Sequence, residues 1–191
     1  MRSDIARWEK KYRRSDPESF LVPNGLLAQH AKLLCRRGLA LDLAAGKCHA
    51  SIQLAKLGNH VISVDCSLTA LKLGQKIANR EAVQLHGLVA DLDYWPFPAS
   101  AFDIIVCMHY LNRDLFSYIE NALRPGGLLI YKTFNHNYLQ IAPTFNKKYV
   151  LQKNELSESF SKLEIIASSD GATKEEPYSF LIARLPDLRH A

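Results

Sequence analysis

Three aspartates stand where a folded sheet could bring their carboxylates to one ligand. Asp42, Asp65 and Asp91 each lie at or just after the end of a short apolar run. A carboxylate pairs with ammonium groups and accepts hydrogen bonds from hydroxyl and amino groups. Taken in chain order, the three could hold an ammonium, the two hydroxyls of a ribose and the amino group of an adenine. Such a set suits a nucleoside that carries an amino acid.

A glycine-containing turn accompanies the first aspartate. The loop LAAGKCH follows the first apolar run, and Gly46 lets the backbone approach a ligand because it has no side chain. Asp65 comes nineteen residues after Gly46, close to the ~20 that separate a phosphate-binding turn from a ribose-binding carboxylate. Two alternatives stay open: Asp65 could cap the next helix, where Ser67 competes for that role, and Asp91 could be a solvated loop residue.

Two later residues could act on a second substrate. His109 and Tyr110 directly follow the apolar run FDIIVCM. Histidine has a pKa near neutrality, which suits it to proton transfer, so His109 is the candidate general base and Tyr110 a second catalytic candidate. The alternative for His109 is a side chain that only packs or caps the following helix.

Two further segments could enclose the substrate. Trp8 and Tyr12, spaced i, i+4 on a predicted N-terminal helix, could form a lid, although such a pair also suits core packing. The segment 131–143 could close one wall of the acceptor pocket. Its candidate residues are Tyr131, Thr133, His136 and Tyr138.

The elements that must position these residues alternate along the chain. A helix is predicted over 26–37, ended by Gly38 in a positive-φ conformation. Strands are then predicted at 39–43, 61–65, 85–90, 102–108 and 128–134, with helices at 49–57, 67–80 and 112–123. After an irregular stretch to about 152 come a short helix at 154–160 and strands at 163–168 and 179–185. Strands joined by helices pair in parallel through right-handed crossovers, which predicts a doubly wound α/β sheet with ligands at the strands' carboxyl ends.

Composition places the chain among ordinary globular proteins. Its 191 residues are 48% hydrophobic and 23% charged, which favours one α/β domain with a modest N-terminal extension over disorder. No apolar stretch approaches the ~20 residues that cross a bilayer, and no secretory signal precedes the fold, so we expect a cytoplasmic protein without a membrane partner. The four cysteines form no CxxC pair, and neither a metal site nor a disulfide is indicated.

The formal charge of +5 is concentrated near the N-terminus. Such a cluster could contact nucleic acid or an anionic small molecule, but a solvated helix face explains it as well, because Asp4 and Glu9 are interspersed. Nucleic acid is therefore a less favoured partner. The basic residues are Arg2, Arg7, Lys10, Lys11, Arg13 and Arg14, followed by Lys32, Arg36 and Arg37.

The ordered set of motifs from about residue 38 to 134 resembles a known family. The segments ALDLAAGKCHASIQLAKLGNHVISVDCS, VADLDYWPFP, FDIIVCMHYLNRDLF and LRPGGLLIYKTF look like those of class I S-adenosylmethionine-dependent methyltransferases, nearest to the small tellurite-resistance-like group. The resemblance implies a seven-stranded sheet with an antiparallel last strand. It also implies that Leu92 lies beside the adenine and Met108 on the far side of the cofactor. The candidate cofactor-binding residues are Tyr12, Asp42, Ala44, Ala45, Gly46, Asp65, Cys66, Asp91, Leu92 and Met108.

The first loop departs from the family pattern. Where the family usually has three glycines, this chain has Ala44, Gly46 and Cys48. Ala44 adds one methyl group, whereas the Cys48 side chain must find room near the amino-acid part of the cofactor.

These observations predict a methyltransferase that uses S-adenosyl-L-methionine, with an N-terminal lid over 1–37 and a cofactor-binding domain over 38–191. The acceptor is expected to be a small molecule, because few residues precede the first strand. The alternatives are an RNA or protein methyltransferase that uses the basic N-terminal segment, and a non-catalytic cofactor-binding module. A nicotinamide-dependent oxidoreductase is disfavoured, because no GxGxxG run follows the first strand.

Overall fold

A computed structural model describes residues 2–173 and 175–187 of the chain. Residues Met1–Pro96 and Phe97–Ala191 form two compact units. The seven strands belong to one sheet in the order β3-β2-β1-β4-β5-β7-β6. The predicted seven-stranded, mostly parallel sheet is therefore confirmed.

Within the described part of the first unit there are three parallel strands and five helices. The strands are β1 (Leu39–Leu43), β2 (His60–Asp65) and β3 (His86–Val89), with β2 pairing to both neighbours in parallel. The helices are α1 (Arg2–Arg13), α2 (Gly25–Gln29), α3 (Ala31–Leu34), α4 (His49–Lys56) and α5 (Leu68–Arg80). β1 and β2 are rich in apolar residues, as expected for parallel strands covered by helices, and their inner residues are buried except for Ile62, which is half-buried.

Among its described residues, the second unit contains four strands, three α-helices and two short 3-10 helices, Arg113–Leu115 and Lys147–Tyr149. The strands are β4 (Phe102–Met108), β5 (Leu123–Phe134), β6 (Glu164–Ser169) and β7 (Tyr178–Arg184), and the helices are α6 (Phe116–Ala122), α7 (Tyr138–Ile141) and α8 (Glu155–Ser159). β4 pairs with β5 in parallel, whereas β7 is antiparallel to both β5 and β6. The antiparallel last strand implied by the family resemblance is thus present.

Two local predictions were wrong. The helix expected over 26–37 is divided into α2 and α3 at His30 and ends before Cys35. Its stop is not Gly38: Arg37 has the positive φ, at 53°. β5 also begins at Leu123, five residues earlier than predicted. The Arg-Pro-Gly-Gly segment lies within the strand as an irregularity in its pairing with β4, with Gly126 at a φ of 75°.

No helix in the described part of the chain is both long and apolar enough to cross a bilayer.

Candidate functional site

The loop between β1 and α4 has an alternating left-handed backbone. Ala44, Gly46 and Cys48 have φ values of 53°, 54° and 59°, a region that glycine enters without steric cost and other L-residues enter at about 1–2 kcal/mol each. These are the three positions at which glycine was expected. The backbone therefore keeps the glycine-rich geometry although only one glycine is present.

Asp65 fixes this loop to the end of β2. Its Oδ2 atom accepts a hydrogen bond from the Gly46 amide at 2.8 Å, and its Oδ1 atom accepts one from the Ser67 amide at 2.8 Å. The helix-cap alternative for Asp65 is not observed, because Ser67 caps α5 by accepting from the Ala70 amide. Burial raises the pKa of Asp65, and the two backbone amides oppose that shift.

Asp42 lies beneath the loop and is only 1% exposed. Its Oδ2 atom accepts hydrogen bonds from the Ser51 amide at 3.0 Å and from the Ser51 hydroxyl at 2.5 Å, and the Ser63 hydroxyl donates in turn to Ser51 at 2.7 Å. Burial raises the pKa of Asp42 to about 7, and the nearby Asp65 charge adds to the shift. Asp42 therefore ties β1 to α4 in this arrangement, and its contact with an ammonium stays a prediction.

The Cys48 side chain packs against α5. The Cys48 thiol is buried, and a Cβ atom on Gly74 would lie only 2.5 Å from its Sγ atom and 2.9 Å from its Cβ atom. Because Gly74 has no side chain, the Cys48 side chain fits against α5 inside the protein. Burial raises the pKa of Cys48 to about 12, so the thiol is not ionised near neutral pH.

The N-terminal helix lies over the same loop. A Cβ atom on Gly46 would approach the Tyr12 hydroxyl oxygen to 2.6 Å, so the phenol occupies the space that a side chain would need. The ring centroids of Trp8 and Tyr12 are 6.1 Å apart, as their i, i+4 spacing predicts. Burial raises the pKa of Tyr12, and the charge of Asp65 adds to it.

Glu9 fastens this helix to the start of α5. Its carboxylate accepts hydrogen bonds from the Ser67 hydroxyl at 2.6 Å, the Thr69 hydroxyl at 2.5 Å and the Thr69 amide at 3.3 Å. These bonds lower the pKa of Glu9 to about 2. We call the group Glu9, Ser67 and Thr69 the α1 latch.

The remaining cofactor candidates of the first unit lie after β2 and β3. Cys66 is half-buried next to Asp65, and burial together with the Asp65 charge raises its pKa to about 12. Asp91 is half-buried and accepts from the Asp93 amide at 3.2 Å, while Leu92 is buried. The Asp91 carboxylate therefore bonds to its own loop, and part of its surface is accessible.

In the second unit, the three candidates form the end of β4 and the turn after it. Met108 is the last residue of β4, and His109 has a positive φ of 57° with its amide donating to the Lys132 carbonyl at 2.7 Å. Partial burial of the His109 imidazole and the Lys132 charge lower its pKa. The Tyr110 carbonyl accepts from the Tyr131 hydroxyl at 3.0 Å.

The segment 131–143 was predicted to form one wall of the acceptor pocket, but only some of its candidate residues are accessible. Tyr131 and Thr133 are both 1% exposed, and the Tyr131 ring packs against Phe116 and Phe160 in the core. The alternation of a strand places these residues on the face opposite to Lys132 and Phe134. Tyr138 packs with Phe134 at 4.1 Å between ring centroids.

Several functional candidates were missed at the sequence level. Glu9 and Thr69 are sixty residues apart, and Ser51 and Gly74 carry no motif of their own. Only the helical spacing of Glu9, three residues before Tyr12, gives a signal. It places both on one side of α1 but does not identify a partner.

Comparison with known proteins agrees with this geometry. Residues 40–127 match the family described as "Methyltransferase domain". A ubiquinone biosynthesis O-methyltransferase of Coxiella burnetii is 28% identical over 142 residues, which cover 71% of this chain and 61% of that protein. The chain therefore spans about three fifths of the length of that relative.

Solved structures share the fold at low sequence identity. TehB from Haemophilus influenzae has a TM-score of 0.70 at 18% identity, covering 93% of this chain and 65% of that one. A geranyl diphosphate C-methyltransferase of Streptomyces coelicolor, solved with S-adenosyl-L-homocysteine, has a TM-score of 0.64 at 16% identity, covering 83% and 76%. These identities show the fold alone, so the tellurite-resistance-like subgroup stays a prediction.

The matched residues include the loop after β1, Asp65 and Asp91. Over residues 40–127, the chain is therefore similar to the S-adenosylmethionine-dependent methyltransferases.

Proposed function

We propose that this protein transfers a methyl group from S-adenosyl-L-methionine to a small molecule. The observation that carries the proposal is the left-handed loop after β1, held to Asp65 through the Gly46 amide. When bound, the cofactor supplies an electrophilic methyl group on a positively charged sulfur. The protein then has to bind the cofactor, align an acceptor and exclude water.

The residues of the first unit fit such a cofactor. Asp42 and Asp65 are two buried carboxylates whose charges disfavour each other, so a cationic ligand beside the loop would offset their repulsion. Gly46 is buried, and the Tyr12 hydroxyl occupies the space beside its backbone, so Tyr12 is placed to contact a ligand held at this loop. In our proposal Asp65 accepts from the ribose hydroxyls, Asp91 from the adenine amino group, and Leu92 provides apolar contact.

Further candidates complete the proposed site. Ala44, Ala45 and Cys66 supply backbone around the loop, and Met108 lines the far side of the cofactor.

His109 is the proposed base for acceptors that lose a proton. Its lowered pKa keeps the imidazole neutral near pH 7, so a ring nitrogen can accept a proton. Tyr110 follows it in the same turn and is the second catalytic candidate.

A small-molecule acceptor agrees best with the N-terminal segment. The basic helix α1 is fastened to α5 by the α1 latch, and Arg7 and Arg13 are paired with Asp4 and Glu9. These pairs reduce the free positive charge available to a polyanion, which disfavours RNA as the partner. We propose a cytoplasmic enzyme with an N-terminal lid over 1–37, in line with the placement of Tyr12.

Calorimetry with S-adenosylmethionine, S-adenosylhomocysteine and NADH tests the proposal. We expect both adenosyl ligands to bind and NADH not to bind. Asp65→Ala should weaken adenosyl binding about 10- to 100-fold, because hydrogen bonds to a charged group contribute about 1.5–3 kcal/mol. Asp103→Ala, which removes a second-unit carboxylate paired with Arg124, is the matched control.

Failure of both adenosyl ligands to bind would show that the proposed function is wrong. Binding without turnover on broad acceptor panels would instead identify a non-catalytic cofactor-binding module.

A further inference from the structure

Five aromatic rings of the second unit form a cluster that we call the aromatic wall. Phe134 is at its centre, with ring centroids of the other four between 4.1 and 5.8 Å away. His109 is the most exposed member, and the other four are half-buried. The wall consists of His109, Phe134, Tyr138, Phe145 and Tyr178.

This cluster differs from the other aromatic group of the same unit. Phe116, Tyr131 and Phe160 also pack together, but each is at most 8% exposed and lies among core residues. The core group accounts for packing on its face of the sheet. The wall keeps aromatic surface accessible, which is the property of a site that receives a planar ligand.

The position of the wall is that of a ligand-binding edge. His109 directly follows β4, and Phe134 is the last residue of β5. Tyr178 begins the antiparallel strand β7 directly opposite Phe134. Ligands of open α/β sheets bind outside the carboxyl ends of the parallel strands, so the wall lies where a substrate is expected.

A positive charge lies on the wall. The Lys132 ammonium is 5.0 Å from the centroid of the Tyr178 ring, and it makes no salt bridge among residues 2–173 and 175–187. A cavity of about 270 Å³ adjoins both residues, and its lining also contains Glu175 and Glu176. These glutamates disfavour an acceptor with a permanent negative charge, whereas Lys132 favours one that becomes negative during the reaction.

We propose that the aromatic wall binds the ring of a hydroxylated aromatic acceptor, so that the methyl group is transferred to an aryl oxygen. The proposal rests on the proposed methyltransferase function and gives it a substrate class. The rings of Phe134 and Tyr178 contact the acceptor ring, His109 faces its hydroxyl group, and Lys132 stabilises the developing aryl oxide.

The methyl transfer requires only the acceptor, the methyl donor and His109. The hydroxyl proton passes to a ring nitrogen of His109 and then to solvent. The freed oxygen electron pair forms the bond to the methyl carbon, and the carbon–sulfur bond of the donor breaks with its electron pair left on sulfur. The products are an aryl methyl ether, S-adenosylhomocysteine and one proton.

Absorbance titration with para-nitrophenol tests the proposal without turnover, because its ionised form absorbs visible light. In the presence of S-adenosylhomocysteine, we expect the wild-type protein to bind the probe and to increase its ionised fraction at neutral pH. Cyclohexanol, which lacks the aromatic ring, should not compete. A separate calorimetric titration of S-adenosylhomocysteine reports on the proposed function itself.

Paired variants assign the effect to the wall. Phe134→Leu and Tyr178→Leu should weaken probe binding about 2- to 10-fold, as expected for one lost ring contact, whereas Tyr178→Phe should retain it. Lys132→Gln should remove the increase in ionised probe. The controls are Tyr118→Leu, an exposed ring of the same unit, and Lys153→Gln, an exposed lysine; both should bind as wild type.

The outcomes separate the two proposals. If S-adenosylhomocysteine binds but the probe does not, or binds equally to wild type and both leucine variants, the aryl acceptor is overturned while the methyltransferase proposal stands. Competition by cyclohexanol would overturn it in the same way. If S-adenosylhomocysteine itself does not bind, both proposals fail.

Discussion

Cys48 occupies a left-handed position next to a helix that lacks a side chain at the point of contact. Its φ of 59° would suit glycine, and its Sγ atom lies only 2.5 Å from the position that a Cβ atom on Gly74 would take. The two residues therefore form a complementary pair in which the volume added at one position is absent from the other.

A double-mutant cycle measures this complementarity. Gly74→Ala should lower the free energy of unfolding by about 1–3 kcal/mol, because overpacking forces neighbouring atoms to move. Combining it with Cys48→Gly should recover part of that loss, with a coupling of at least about 0.5 kcal/mol. Chemical denaturation gives the values.

Gly25→Ala is the control for this cycle, since a Cβ atom at Gly25 meets nothing within 4 Å. Strictly additive effects of the two substitutions would show that Cys48 and Gly74 do not share one space.

At this scale the sequence was most informative where spacing reflects the fold. The interval between Gly46 and Asp65 spans one helix and one strand, so it predicted that the turn and the carboxylate would serve one ligand site. The structure in addition joins the two residues directly by a hydrogen bond. Gly74 could not be paired with Cys48, because helix packing leaves no fixed interval in the chain. Glu9 was overlooked for the same reason.

Among the elements, α1 depends on a small number of polar contacts. The α1 latch holds the helix to the start of α5, and the segment after α1 is attached by the Lys47 ammonium on the Ser19 hydroxyl at 2.8 Å. The lowered pKa of Glu9 keeps its carboxylate charged. This contribution to stability is fully present above about pH 4.5 and is lost as the pH falls towards about 2.

Replacement of the latch carboxylate should loosen α1 selectively. For Glu9→Gln we expect faster hydrogen exchange across α1, by about 5- to 10-fold, because a hydrogen bond to a charged group contributes about 1.5 kcal/mol or more. Exchange in β1 and β2 should not change. Mass spectrometry of peptic fragments gives the rates.

Glu18→Gln is the matched control, because Glu18 is an exposed glutamate whose contact with Arg80 is longer, at 3.5 Å. Equal exchange in wild type and Glu9→Gln would rule out the latch.

Element boundaries followed local chemistry where that chemistry was strong. The Ser67 cap began α5 as a capping residue should, and buried apolar runs became β1, β2 and β4. The prediction of one helix over 26–37 was wrong because hydrophobic periodicity alone does not show the break at His30. The aromatic wall could not be predicted from the sequence. Its members Phe134 and Tyr178 are brought together only because β7 pairs antiparallel to β5.

For the whole molecule, the buried carboxylates set how stability depends on pH. The folded-state pKa of Asp42 is about 7, above its usual 3.8. Between these values the folded protein keeps a proton that the unfolded chain has lost, so the free energy of unfolding falls as the pH rises from about 4 to 7. Asp65 is shifted in the same direction.

Asp42→Asn should flatten that dependence, because the amide oxygen can still accept from Ser51 but carries no charge. Relative to wild type, we expect the variant to lose less stability between about pH 5 and pH 8, by on the order of 2–3 kcal/mol. Urea denaturation at both pH values gives the comparison. The exposed substitution Asp114→Asn should follow wild type, and an Asp42→Asn curve parallel to wild type would contradict the assignment.

The burial of Cys48 against Gly74 also gives the protein an internal reporter. Cys35 is exposed, whereas Cys48 is enclosed. A thiol-alkylating reagent therefore reaches Cys35 directly but can modify Cys48 only when the loop after β1 separates from α5. The labelling rate of Cys48 would then report how often the proposed cofactor loop opens, with no dye or tag attached. Any ligand that holds the loop closed would slow this labelling.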